Sequence, residues 1–259
     1  MAESEGLRKR LFQHSLLARV LADGAVVMLL VVWWLSSRDL PAFVLPGPVA
    51  VARAFLAYFY DATLFQQLLT TCFRVVSSVA LATLLGTMLA AIPFYLPVMR
   101  DIVVARIQPV LNAVPSLGWA ILGVIWFGVS NPAVIFVQVA ILVPFCFVNI
   151  SQGIDELDRE LLEMFRSYSR GRFALFRKVI LPALVPYLIA AVRMAYGVAW
   201  KIALIAELFG ADSGLGYVML QAQTISDVAT VLATCLMIVF LFILGDAFIL
   251  RPIAWRYAR

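Results

Sequence analysis

The sequence predicts an all-α fold: a polytopic transmembrane helix bundle of about six spans, with both termini in the cytoplasm. Three observations predict it. First, 64% of the 259 residues are hydrophobic and only 14% are charged, against about 25% charged in an average soluble domain. Second, the apolar residues gather in runs that reach the roughly 20 residues a helix needs to cross a bilayer. These runs lack the strict alternation of barrel strands, and in lipid only helices and closed barrels satisfy their own backbone. Third, the cations sit unevenly between the runs, which fixes an orientation.

Taken in order, residues 1–19 form a polar leader with Arg8, Lys9, Arg10 and Arg19. It is expected in the cytoplasm, ahead of a single transmembrane domain over 20–259. The first apolar run continues as a span rather than as a cleaved signal. It covers about 20–37, around "GAVVMLLVVWWL", with Trp33 and Trp34 suited to a membrane interface. The second span covers about 68–96. The third, about 109–128, holds Pro115 and Gly118, which predict a bend. The fourth covers about 132–151, the fifth about 183–209 and the sixth about 228–250. With the N-terminus inside, 15 of the 20 Lys+Arg fall in cytoplasmic segments. Only Arg38 and Arg53 fall in outer loops, while Arg74, Arg193 and Lys201 fall within spans. The three cysteines, Cys72, Cys146 and Cys235, lie inside apolar runs with neither a disulfide framework nor a metal spacing. His14, the one histidine, lies in the leader, which argues against a His-ligated metal centre.

The densest charge lies in "ELLEMFRSYSRGRFALFRKVILP", residues 160–182, within the predicted cytoplasmic loop of 152–182. Leu161, Phe165 and Tyr168 are spaced for one helix face. Ser169 to Gly171 is a natural break. Phe173, Phe176 and Ile180 rebuild an apolar face, and Pro182 marks the start of span five. Two short amphipathic helices at an angle are expected, and helices this short need something packed on them. A lipid surface would serve, and so would the groove of a cytoplasmic partner.

The stretch "EMFRSYSRGRFALFRKVILP" resembles the EAA loop of the membrane subunits of binding-protein-dependent ABC importers. Glu163 falls on that pattern's Glu, and Leu181–Pro182 on its Leu-Pro. Met164 and Phe165 replace its two alanines. Ser169 stands where the family usually has Gly, which moves the bend toward Gly171. "FVLPGPVAVARAF" resembles the family's Leu-Pro-x-Pro opening. "VLNAVPSLGWAILGVIWFGVSNPAVIF" and "AELFGADSGLGYVMLQAQ" are similar to the nitrate/sulfonate/taurine/bicarbonate branch, so the resemblance runs from about residue 43 onward.

The resemblance implies a type I importer: a homodimer of this permease subunit in the bacterial inner membrane, an ABC ATPase subunit on each copy, and an extracytoplasmic solute-binding protein. It assigns ATPase coupling to Glu163, Phe165, Arg166, Tyr168, Ser169, Gly171, Leu181 and Pro182. It places ATP and Mg in the partner ATPase and no cofactor in this chain. The residues agree, because no G-x-x-x-x-G-K-[ST] run occurs to cradle phosphates. There is no Ser/His/Asp set, no paired carboxylate and no metal cluster either. A transport subunit is expected, not an enzyme.

The intramembrane residues suggest a route. Ala191, Ala195, Ala199 and Ala203 form a small-residue ridge in span five, and Ala82, Gly86 and Ala90 a second in span two. Such ridges serve packing within a subunit or a contact at a dimer or pathway. Lys201 lies about eight residues, or roughly 12 Å, from the outer end of its span, a long reach for snorkelling. It either lines a water-filled path that favours an anion or belongs to a structural ion pair. Glu207, six residues on, lies on another face, which leaves Asp246 as an alternative partner. Asn112, Ser116 and Trp119 flank the Pro115 bend, where freed backbone groups are tolerated if they line a cavity. Lys201, Arg193, Asn112, Ser116, Trp119 and Glu207 are the candidate translocation-pathway residues, for a small anionic solute. Arg74, two turns inside span two, is expected to snorkel to the outer surface, and "GADSGLGYV" to turn tightly near it. The alternative function is an ATP-independent secondary transporter or channel. That would need inverted repeats or a relay of membrane carboxylates, and neither is evident.

Overall fold

The computed structural model describes residues 23–99, 102, 106, 108–157 and 175–257. Helices dominate these residues, and no strand occurs among them. In chain order they are α1 (23–39), α2 (Pro48–Tyr60), α3 (Ala62–Tyr95), α4 (Gln108–Ala113), α5 (Ser116–Phe127) and α6 (Asn131–Asp155). Then come α7 (Leu181–Gly210), entered through a π-helical turn at Phe176–Ile180, α8 (Leu215–Thr224) and α9 (Val228–Gly245). A second π turn, Asp246–Leu250, leads into α10 (Arg251–Tyr257).

Among the described residues, four helical stretches are long and apolar enough to cross a membrane: Ala62–Pro93, Asn131–Asp155, Arg177–Gly210 and Val228–Ile253. They match the expected second, fourth, fifth and sixth spans. Pro48–Tyr60 and Ser116–Phe127 are apolar but shorter. The expected third span is broken where the sequence places its bend: α4 ends at Ala113, and Pro115 stands extended at ψ 145 before α5 begins. A proline ring disfavours helical geometry in the residue before it.

Polar side chains close the helix ends. Asp61 ends α2 and caps α3, its Oδ1 accepting from Thr63 N at 2.8 Å and Leu64 N at 3.3 Å. Ser130 Oγ accepts from Ala133 N at 3.4 Å and starts α6. Asp227 starts α9, accepting from Thr230 N at 3.2 Å and Thr230 Oγ1 at 2.6 Å. Each cap contributes about 1 kcal/mol.

The core is a three-helix unit of α3, α6 and α7. Both small-residue ridges are spent inside it. Ala191, Ala195, Ala199 and Ala203 are wholly buried, as are Ala82 and nearly Ala90. A Cβ added at Gly86 would meet Cys146 Cβ at 2.6 Å and Phe147 N at 3.0 Å. Helix backbones approach this closely only where side chains are absent or small. On one flank α5 seats Trp119, Trp126 and Phe127 around Phe136, with centroids 5.2–6.0 Å apart. On another, α2 lies against α9 through Phe55, Phe59 and Phe240. There the Tyr58 hydroxyl shares a 2.6 Å hydrogen bond with Thr234 Oγ1, and burial pushes its phenol above the ordinary value. Helix α1 is exposed along most of its length, and Trp33 Nε1 ties its end to Pro46 O at 3.0 Å.

Candidate functional site

Arg74 corrects the sequence reading. It does not reach outward: it is wholly buried and pairs with Glu207, also wholly buried, Nη1 to Oε1 at 2.9 Å. The reason is complementarity. Two charges at matching depth in adjacent spans neutralise each other, provided their remaining donors and acceptors are satisfied. Here they are. Arg74 Nη1 also donates to Ser213 O at 2.7 Å, Nη2 to Ser213 Oγ at 2.8 Å and Nε to Asn131 Oδ1 at 2.8 Å. Glu207 accepts from Thr71 Oγ1 at 2.9 and 3.0 Å and from Gly216 N at 2.9 Å. Leu215 N donates to Thr71 Oγ1 at 2.8 Å, and Gly214 N to Gln67 Oε1 at 2.5 Å. One clasp thus ties α3, the start of α6, the end of α7 and the α7–α8 loop.

The loop is shaped for this carboxylate. Gly214 sits at φ +101, and a Cβ there would collide with the Glu207 carboxyl group. A Cβ at Gly216 would meet Glu207 Cβ at 2.6 Å and Leu204 O at 2.8 Å. The tight turn expected of "GADSGLGYV" is therefore the bed of an ion pair. Gln67, Thr71, Asn131 and Ser213 escaped sequence reasoning, because their partners lie up to 147 positions away. The legible signal was two opposite charges toward the outer ends of spans two and five.

Lys201 is exposed and makes no ion pair among the described residues. At 100° per residue it shares an edge of α7 with Pro186, Ala190, Met194 and Gly197, none of them buried. Asp246 is not its partner. That carboxylate engages Arg193 Nε at 3.3 Å and Arg251 Nε at 2.7 Å. Arg193 is thus held, half exposed, at the seam between α7 and the second π turn. Asn112 lies on α4, before the break at Pro115. Ser116 opens α5, and Trp119 one turn later is half-buried, its Nε1 without an acceptor among the described residues. No hydrogen bond joins Ser116 or Trp119 to Lys201 or Arg193 among those residues. Nor do any three His, Cys, Asp or Glu among them sit close enough to hold a metal.

Of the residues expected to couple to an ATPase, Glu163, Phe165, Arg166, Tyr168, Ser169 and Gly171 lie outside the described residues. Leu181 and Pro182 open α7, directly after the first π turn. Beside them Leu175, Ile180 and Leu184 pack with Ile154, Leu157 and Val179, joining the first π turn to the end of α6. Tyr187 adds a hydrogen bond to Glu156.

Residues 82–251 match the family described as binding-protein-dependent transport system inner membrane component. The putative aliphatic sulfonates transport permease protein SsuC of Escherichia coli (strain K12) is 32% identical over 216 residues, covering 83% of this chain and 80% of that protein. The taurine transport system permease protein TauC of the same organism is 29% identical over 222 residues, 82% of this chain and 80% of its own. The nitrate import permease protein NrtB of Synechococcus elongatus is 28% identical over 203 residues, 74% and 72% respectively.

Proposed function

This chain belongs to the inner membrane components of binding-protein-dependent transport systems, and from that premise we propose that it conducts a small anionic solute past the Lys201 edge of α7. It is a permease subunit of an ABC importer of the nitrate, sulfonate and taurine branch, seated in a bacterial inner membrane. The three relatives described above are named for aliphatic sulfonates, taurine and nitrate, which supports an anion here, although another relative is named for formylaminopyrimidine.

The observation that carries the proposal is Lys201 itself. It is an exposed cation, with no counter-charge among the described residues, on an otherwise small and apolar helix edge. A bare ammonium in a membrane helix costs at least about 2.5 kcal/mol, and a passing anion in a hydrated path offsets that cost. Lys201→Ala is expected to lower anion uptake into proteoliposomes by roughly tenfold or more, the worth of one charge-assisted hydrogen bond. Lys201→Arg should retain most of it, and co-purification of the ATPase should be unaffected by either. Uptake unchanged in Lys201→Ala would remove Lys201 from the pathway.

The loop of 160–182 is assigned to coupling. In this reading Glu163, Phe165, Arg166, Tyr168, Ser169 and Gly171 seat in a cleft of the ATPase, and Leu181–Pro182 pass its movement to α7. ATP and Mg belong to that partner, the solute-binding protein docks on the opposite face, and two copies of this chain enclose the path. Support comes from the Leu-Pro opening of α7 and the apolar contacts that join its first π turn to α6.

A further inference from the structure

A second cationic feature lies apart from the clasp and the Lys201 edge. Asp246 accepts a hydrogen bond from Arg251 Nε at 2.7 Å and forms an ion pair with Arg193, whose Nε lies 3.3 Å away. The outer Nη groups of both arginines remain unspent among the described residues, and their side chains are 50% and 61% exposed. One carboxylate against two guanidiniums leaves a local charge of about +1, with two donor forks turned outward.

Beside this pair an apolar hollow of about 390 Å³ opens between α3, α7 and the second π turn, walled by Val79, Thr83, Val192, Tyr196, Ile249 and Leu250. Its few polar atoms are already engaged. Thr83 Oγ1 donates to Val79 O at 2.8 Å, and the Tyr196 hydroxyl donates to Leu241 O at 3.1 Å. The hollow therefore offers an occupant no free hydrogen-bond donor. A smaller apolar hollow of about 230 Å³ adjoins it at Val192 and Leu250. Those two residues immediately precede Arg193 and Arg251.

The depth agrees between two helices. From Val228 to Asp246 the rise is about 27 Å, and from Gly210 back to Arg193 about 26 Å, at 1.5 Å per residue. A hydrocarbon core is roughly 30 Å thick. The arginine pair thus stands in the inner half of the bilayer, Arg193 within span five and Arg251 just past the expected end of span six.

We propose that this place binds an anionic phospholipid of the inner leaflet: its phosphate lies across the free forks of Arg193 and Arg251, and one acyl chain fills the hollow above. The charge selects an anionic head, because basic recesses between membrane helices on the cytoplasmic side favour such lipids. The satisfied, apolar wall selects a hydrocarbon tail over a small hydrophilic anion. The proposal rests on the cytoplasmic placement of Asp246; it assigns Arg193, one of the candidate pathway residues, to lipid instead of solute, and uses nothing else of the Lys201 pathway.

The test is native mass spectrometry of the purified full-length protein, titrated with dioleoylphosphatidylglycerol and, separately, with dioleoylphosphatidylcholine. The wild type should retain phosphatidylglycerol with a preference of roughly tenfold or more, as two interfacial arginines allow. Arg193→Gln, Arg251→Gln and Asp246→Asn are combined, so that no carboxylate is left buried alone. The triple variant should lose that preference. Ala80→Phe, which fills the mouth of the hollow and leaves the cations untouched, should lose it too. Millimolar inorganic phosphate or sulfate should not displace the bound lipid. Equal retention of both lipids, indifference to Ala80→Phe, displacement by free phosphate, or a dimer that buries Ala80 and excludes lipid would each overturn the proposal.

Discussion

Replacing Arg74 by Leu leaves the Glu207 carboxylate wholly buried with no counter-charge. Breaking one side of a buried pair costs about 3–5 kcal/mol, whereas replacing both sides with apolar groups is often near neutral. Arg74→Leu should therefore lower the Tm of the detergent-solubilised protein by many degrees, and Arg74→Leu with Glu207→Leu should recover most of the loss. Equal losses in the single and double variants would show that the pair does not anchor the loop. Gly214→Ala should cost about 1–3 kcal/mol for the strained backbone alone, and more for its collision with Glu207. These residues were half legible in the sequence. Arg74 and Glu207 stood out as charges within apolar runs, but each was judged within its own helix. Reach along one helix can be counted from the sequence, and a partner 133 positions away cannot.

At the scale of elements, four of the six expected runs form helices long and apolar enough to cross a membrane among the described residues, because in lipid the backbone admits so few forms. The bend at Pro115 was also legible, since a proline acts on the residue before it whatever the tertiary context. The fate of the alanine ridges was not. A small side chain permits close approach but does not name the neighbour, and only the packed helices show that both ridges are buried in the core of α3, α6 and α7. It follows that enlarging a ridge should disrupt the subunit itself rather than its association. Ala199→Leu is expected to cost about 1–3 kcal/mol through overpacking, read as a lower Tm at unchanged oligomeric state by light scattering. Dissociation without any loss of Tm would place Ala199 at an interface between copies instead.

For the whole molecule, the uneven spread of arginine and lysine predicts which ends face the cytoplasm. In a variant with Cys72, Cys146 and Cys235 replaced by serine or alanine, a cysteine at Asp212 should react with a membrane-impermeant maleimide from outside intact cells. A cysteine at Arg177 should react only after permeabilisation. The reverse pattern would invert the topology and detach the 160–182 loop from any cytoplasmic ATPase. The helix that joins these two positions runs unbroken from Arg177 to Gly210, 34 residues, or about 51 Å, well over the thickness of a roughly 30 Å hydrocarbon core. Its outer end is clamped by the ion pair and its glycine turn, and its inner end is joined to the end of α6 by Leu175, Ile180 and Leu184. Such a rod is an oar with its lock at the far gunwale and the end of α6 lashed to its blade. A swing of about 5° about the lock would carry the blade roughly 4 Å over that length, and the end of α6 with it.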